Sequence, residues 1–251
     1  MDPRFTQHVE ALLHARTTGQ AIAPPTDTTP ELTVTDAYQV QHQVIAARNP
    51  SGAPVRGYKV ALLDPPIFGE ILAQDVVLDG GTISLATCIT PKIEPELAFV
   101  FGEALQGDDL LLTDVLAATR FVLPAFEFVD SRIDGGLANP TQDSVCDNGL
   151  FTNMVLGSPV RTIDTLDPRN IEVTVSIDGQ VADVGSTSRA SAHPAHAVLQ
   201  LLKHLHQFGR GLKAGDVVLS GTCTPPLPVT AGNRVVAEFA GLGSVSVTFR
   251  D

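Results

Sequence analysis

After Pro54 the chain stops reading as helix and becomes a series of short β-rich runs broken by Gly, Pro and Asp, and this change of texture limits the fold more than any other feature. The runs cover residues 56–63, 92–101, 121–130, 171–178, 216–221, 234–239 and 244–250, which makes the body mostly β. Before Pro54, residues 5–17 and 36–48 place apolar side chains at three- and four-residue spacing (Val9, Leu12, Leu13; then Tyr38, Val40, Val44, Ile45), the period of amphipathic helices. The stretch AIAPPTDTTP between them is expected to be a linker. A late helix is expected over about 194–208, capped by Ser191 and closed by Gly209, and a shorter one from Thr113. There is no internal repeat. The expected architecture is α+β, with a helical N-terminal arm over residues 1–53 and one β-rich catalytic domain over residues 54–251.

Charge and cysteine content narrow the class of function. The 16 Lys and Arg against 28 Asp and Glu leave a formal charge of -12, which repels phosphate backbones, and no basic run forms a local exception. Nucleic acid is excluded as an expected partner. Cys88, Cys146 and Cys223 are odd in number and far apart, which fits reduced thiols serving as small core hydrophobes better than a disulfide framework. The N-terminal MDPRFTQHVEALLHART lacks the continuous apolar stretch of a signal peptide, and no apolar run approaches the roughly 20 residues that cross a bilayer. A soluble, cytoplasmic protein without a membrane partner is expected.

Three glutamates carry the chemistry. In Ile93-Glu94-Pro95-Glu96-Leu97 the strand period of two puts Glu94 and Glu96 on one face. Like charges that close cost energy unless a cation or a shared proton relieves them, and Pro95 suggests an edge or a bulge where a ligand can approach. The alternative is a solvated strand face. Glu127 lies in Phe121-Val122-Leu123-Pro124-Ala125-Phe126-Glu127-Phe128-Val129, an otherwise apolar run in which a lone carboxylate is expensive to bury. It needs a cation or a donor network; an ion pair with Arg132 is one way to supply it. Joined to Glu94 and Glu96 it makes an oxygen-only site, which suits Mg²⁺ or Mn²⁺ rather than Zn²⁺.

Lys59 sits in a strand-like run whose neighbour Gly57 permits close backbone approach to a ligand. Near a metal-bound enolate it can donate a proton or support negative charge; otherwise it is a surface lysine at a strand end. The segment Gly215-Asp216-Val217-Val218-Leu219-Ser220-Gly221-Thr222 reads as a buried strand ending in a loop that can offer N–H and O–H donors to a carboxylate, or as an ordinary turn. His193, His196, His204 and His206 lack the spacing of a zinc site, and Gly241-Leu242-Gly243 is a hairpin turn rather than a dinucleotide fingerprint.

GYKVAL, PKIEPELAFVFG, LPAFEFVDSRI, CDNG, GDVVLSGT and the closing GLGSVSVTF occur here in the order found in the 2-keto-4-pentenoate hydratase and 4-oxalocrotonate decarboxylase family, within the wider fumarylacetoacetate hydrolase superfamily. The resemblance extends over nearly the whole chain, including AIAPPTD and DAYQVQHQ. It implies a mixed β-sandwich or roll, Mg²⁺ or Mn²⁺ at Glu94, Glu96 and Glu127, a catalytic Lys59, a substrate pocket reaching Asn148 and Thr222, and assembly into homo-oligomers. Two departures fall at that pocket. The family's longer loop with an acidic residue before F-G is short here, at Leu63-Asp64-Pro65-Pro66-Ile67-Phe68-Gly69, so Asp64 is the candidate replacement acid. Where the family often has a small hydroxyl residue after D-N, this chain has Gly149-Leu150.

The activity implied is a metal-dependent hydratase, a lyase acting on a 2-hydroxy-2,4-dienoate or 2-keto-enoate in meta-cleavage catabolism of aromatic compounds. On that implication a metal held by the three glutamates would chelate the substrate's C1 carboxylate and C2 oxygen and supply charge that stabilises an enolate. A 4-oxalocrotonate-type decarboxylase, an acylpyruvate hydrolase and a non-catalytic partner subunit are the alternatives.

Overall fold

The computed structural model describes residues 5–251; the first four residues of the expected arm lie outside them. The helices are α1 (Thr6–Thr18), α2 (Pro25–Thr28), α3 (Val34–Arg48), α4 (Leu112–Ala118), α5 (Thr141–Cys146) and α6 (Ala195–Gln207). The strands are β1 (Gly57–Ala61), β2 (Ile67–Ile71), β3 (Val76–Leu78), β4 (Gly81–Ser84), β5 (Lys92–Phe101), β6 (Thr119–Val129), β7 (Phe151–Leu156), β8 (Glu172–Ile177), β9 (Gln180–Ser186), β10 (Val217–Thr222), β11 (Leu227–Pro228), β12 (Arg234–Phe239) and β13 (Gly243–Arg250).

They form two mixed sheets, one in the order β2-β1-β10-β5-β6-β7-β3 with β11 beside β5, the other β4-β13-β12-β8-β9. The pairs β1/β10, β3/β7 and β4/β13 are parallel and the rest antiparallel. The strands β5 and β6 are the longest, and both lie largely buried at the centre of the larger sheet, where their apolar residues pack and their few carboxylates need partners. The two sheets meet through side chains such as Phe128 of β6 and Phe249 of β13, whose rings are 5.3 Å apart.

Helix α6 turns Ala197, Val198, Leu201, Leu202 and Leu205 inward and packs on β10 and β1. Its N-terminus is not capped by Ser191. His193 Nδ1 accepts the Ala195 N–H at 3.1 Å instead, while Ser191 Oγ lies 3.2 Å from His196 Nδ1. Helix α4 opens at Leu112, one residue before Thr113, where the Asp114 carboxylate accepts the Leu111 N–H at 2.7 Å. Helix α3 starts with a reciprocal Thr33–Asp36 capping box, worth about 1 kcal/mol.

The stretch expected as a linker is fixed to the body. Pro25, at the first helical position, starts the single turn of α2, and the Asp143 carboxylate accepts from Thr26 N at 3.0 Å and Thr26 Oγ1 at 2.7 Å. Val9, Leu12, Val40 and Val44 of α1 and α3 join the core that continues into the sheets. The three cysteines are free, and burial pushes the Cys88 thiol up to about 11. Among the described residues no helix is long and apolar enough to cross a membrane.

Candidate metal centre

In the β5/β6 ladder Glu94 stands directly opposite Glu127, and Glu96 follows two residues later on the same face. One carboxylate oxygen from each lies within 4.8 Å of the others, the arrangement expected from strand periodicity. Glu96 and Glu127 are each 1% exposed; Glu94 is partly exposed. Pro95 does not mark an edge, since β5 is flanked by β10 and β6. It marks a bulge: the β10 register slips between Leu219 and Thr222, and the Pro95 carbonyl accepts the Cys223 N–H on that side. A residue that cannot donate fits there because the regular ladder has already broken.

That bulge turns a backbone donor toward the cluster. The Gly221 N–H donates to Glu96 Oε2 at 2.7 Å, so this one donor of the Ser220-Gly221-Thr222 loop serves one of the protein's own carboxylates, while the Ser220 hydroxyl donates to the Leu97 carbonyl. Gly221 has φ +103 and faces the Ala190 side chain, so this turn requires glycine.

Lys59 is 3% exposed and is no surface lysine. Its Nζ lies 3.0 Å from Glu127 Oε1. The Arg132 alternative for Glu127 is excluded, because the Arg132 guanidinium is committed to Asp147 at 2.6 Å. Gly57 serves packing rather than a ligand: a Cβ there would fall 1.8 Å from the Val217 carbonyl oxygen on β10.

Burial raises all three glutamates. It pushes Glu94 up to about 7, helped by the Glu127 charge, and holds Glu96 and Glu127 above the usual carboxylate range, with Lys59 opposing the shift at Glu127. Burial pulls Lys59 down, but Glu127, Glu94 and Glu96 together hold it above its ordinary value. Three carboxylates and one ammonium leave two negative charges unbalanced when all are ionised. Glu127 Oε1 is also buried without a well-formed hydrogen bond, its contact with Lys59 being poorly directed. An all-oxygen cluster two charges short, with an under-satisfied buried oxygen, fits a hard divalent cation.

The cluster opens into a cavity of about 930 Å³, within the usual size range of small-molecule sites. Glu94, Glu96, Glu127 and Lys59 form its polar floor, and Leu62, Leu63, Ile67, Ile133 and Leu150 give it an apolar side. Thr222 also lines it, but its hydroxyl proton goes to the Thr224 carbonyl at 2.7 Å, which leaves no free O–H donor for a ligand carboxylate. Two expected residues are elsewhere. Asp64 lies exposed on the turn before Pro65 and does not line the cavity; the short loop turns it to solvent, where an unpaired carboxylate is cheapest to keep. Asn148 is fully buried and spends its side chain on both backbone groups of Glu70, accepting at 2.8 Å and donating at 2.9 Å.

Gly149 and Gly221 line the cavity, as the Gly149-Leu150 departure and the Ser220-Gly221-Thr222 loop led one to expect, while Lys92 and Arg189 line it without having been singled out by sequence for this site. The histidines do not gather into a metal site: His204 packs on Tyr38 and Phe68, with ring centroids 4.2 and 4.5 Å away, and burial pulls it down to about 4. Gly241-Leu242-Gly243 is the turn joining β12 to β13.

The chain is 37% identical to the 2-hydroxyhexa-2,4-dienoate hydratase of Comamonas testosteroni, over 96% of this chain and 94% of that protein. It is 34% identical to the 2-keto-4-pentenoate hydratase of Burkholderia vietnamiensis, over 96% and 95%. Among solved structures, the 4-oxalocrotonate decarboxylase of Pseudomonas putida G7, complexed with magnesium and adipate, matches with a TM-score of 0.88 at 29% identity over 97% of each chain. The family model for the fumarylacetoacetate hydrolase C-terminal region matches residues 58–250, which span both sheets and all four residues of the polar floor. With that match and those relatives, the chain belongs to the fumarylacetoacetate hydrolase family.

Proposed function

We propose that this chain is a divalent-metal-dependent lyase, a hydratase that acts on a 2-hydroxy-2,4-dienoate or the corresponding 2-keto-enoate, with Mg²⁺ or Mn²⁺ held by Glu94, Glu96 and Glu127. The observation that carries the reading is the buried three-glutamate cluster with Lys59 beside it at the floor of a ligand-sized cavity. When bound, a divalent cation supplies Lewis-acid charge that stabilises negative charge on a neighbouring substrate oxygen. The Gly221 N–H orients Glu96 within the cluster. Lys59 is the group we assign to deliver a proton to the carbon skeleton or to hold charge developing on it, because its neighbours keep it an ammonium. The apolar side formed by Leu62, Leu63, Ile67 and Leu150 takes the hydrocarbon chain. The relatives named as hydratases support this order of preference.

A decarboxylase acting on a 4-oxalocrotonate-like diacid is the second reading, favoured by the structural match at TM-score 0.88. A hydrolase is disfavoured, because no histidine among the described residues lines the cavity to activate water. Homo-oligomeric assembly accompanies the reading and is checked by sedimentation. The functional test is an ultraviolet assay of 2-hydroxypenta-2,4-dienoate and 4-oxalocrotonate side by side, with Mg²⁺ and with chelator, followed by product identification. Metal-dependent hydration of the dienoate supports the reading, CO₂ release from the diacid selects the second, and turnover of neither by the purified protein points to the non-catalytic subunit.

A further inference from the structure

Asn148, Gly149 and Leu150 have φ values of 57, 62 and 68°, three consecutive residues in the left-handed region. A leucine there is strained, though an asparagine visits the region readily, and three such residues in a row persist only where their surroundings hold them. Here Asp147, Asn148 and Leu150 are all tied. The Asp147 carboxylate receives Arg132 N at 2.9 Å and Arg132 Nε at 2.6 Å. The Asn148 side chain bridges Glu70 N and O on β2. Leu150 N–H donates to the Asp147 carbonyl and its own carbonyl accepts the Asp130 N–H.

The turn lays the backbone of Gly149 along the Lys59 stem. A Cβ at Gly149 would meet Lys59 Cε at 3.1 Å, Nζ at 3.3 Å and Cδ at 3.4 Å. From the other side Gly69, the register partner of Lys59 on β2, presents no side chain either; a Cβ there would fall 3.0 Å from Lys59 Cγ and 2.5 Å from the Asn148 carbonyl oxygen. Two glycines from separate elements thus form a slot that one lysine fills, and Asn148 locks the elements together. We infer that this left-handed turn is a clamp for Lys59, with Asn148 and Gly149 as positioning residues that hold the ammonium over the cavity floor independently of its ion pair with Glu127.

The ion pair alone does not suffice. Whatever cation Glu127 shares its charge with weakens its hold on Lys59, and like charge drives the ammonium away at the moment it is needed. Steric walls keep their grip whatever the charge of the cluster. The inference rests on the proposed role of Lys59, and the test separates the two.

The first arm reads position without activity: acetic anhydride labelling of the full-length protein, followed by mass spectrometry of Lys59 with exposed Lys203 as the internal reference. In the wild type Lys59 is expected to label slowly with chelator and with saturating Mg²⁺. In Asn148→Ala it is expected to stay slow with chelator and to label at least tenfold faster with Mg²⁺. If that variant does not fold, Gly149→Ala replaces it, with Lys59 labelling faster in either condition. Labelling as slow as in the wild type under Mg²⁺ overturns the clamp. The second arm is a kinetic cycle of Lys59→Met, Gly149→Ala and the double variant. Gly149→Ala is expected to lower kcat at least tenfold with KM within about threefold, and the double variant to be no slower than Lys59→Met alone. Equal losses in both backgrounds, as a structural defect gives, overturn the inference. Wild-type kcat in Lys59→Met sinks the catalytic reading itself, whatever the labelling shows.

Discussion

Replacing Lys59 by Met tests the charge balance of the floor before any substrate is involved. The substitution keeps most of the stem's volume in its slot but removes the ammonium 3.0 Å from Glu127 Oε1, leaving a carboxylate 1% exposed with two others close by. Breaking a buried pair by deleting one partner costs roughly 3–5 kcal/mol. For a chain of this size each kcal/mol is worth about 2–4 °C, so the cation-free variant should melt roughly 6–20 °C below the wild type. The three carboxylates now carry one more uncompensated charge and no neighbouring ammonium repels a cation. Mg²⁺ should therefore bind at least tenfold tighter, a gain of about 1.4 kcal/mol that is modest beside the roughly 4 kcal/mol between unit charges 4 Å apart at an effective dielectric of 20. Differential scanning calorimetry in chelator and across a MgCl₂ series reads both effects. The melting gap should narrow as Mg²⁺ rises; a gap that is absent in chelator, or the same at every Mg²⁺ concentration, refutes the reasoning.

Three further outcomes are expected. Glu94→Gln, Glu96→Gln and Glu127→Gln should each weaken Mg²⁺ binding in isothermal titration, and wild-type affinity in two of the three would remove the assignment. In the cation-free protein Glu94 is raised to about 7, so the folded state binds more protons than the unfolded chain between the ordinary carboxylate value and that point. Stability should then fall as pH rises from about 5 to 7, saturating Mg²⁺ should flatten the trend, and Mg²⁺ uptake near pH 6 should release protons to the buffer; stability that rises across this window contradicts the burial argument. Asp64→Asn, on an exposed turn, should leave kcat/KM within about twofold and stability within about 0.5 kcal/mol.

Apolar-rich runs made the inner strands of both sheets legible: the ranges expected for β5 and β12 coincide with those observed, and β6, β8, β10 and β13 differ at their ends by one or two residues. The strands that escaped include β2, β3, β4 and β9, which are the four edges of the two sheets. An edge strand is covered on fewer sides and carries no long hydrophobic signature, as the mostly exposed Gln180–Ser186 shows. The glutamate cluster could be read because strand periodicity fixes Glu94 beside Glu96, and an apolar run demands a partner for Glu127. Which partner it finds was not readable. Lys59 arrives from β1, separated from β6 by the two strands β10 and β5, and Arg132, five residues from Glu127, is taken by Asp147. Asn148 and Asp64 were placed at the pocket by family position. The left-handed turn instead aims Asn148 at β2 while its glycine neighbour faces the cavity, and local backbone of this kind leaves no periodic trace.

The central claim is that Glu94, Glu96 and Glu127 together hold one divalent cation. Crystals grown with Mn²⁺ and measured at the manganese absorption edge test it most directly, through the anomalous difference map. One peak is expected, about 2.0–2.2 Å from an oxygen of each of the three carboxylates, the range for a hard divalent ion. A well-ordered map in which the strongest peak lies outside the three carboxylates, or touches only one of them, contradicts the account.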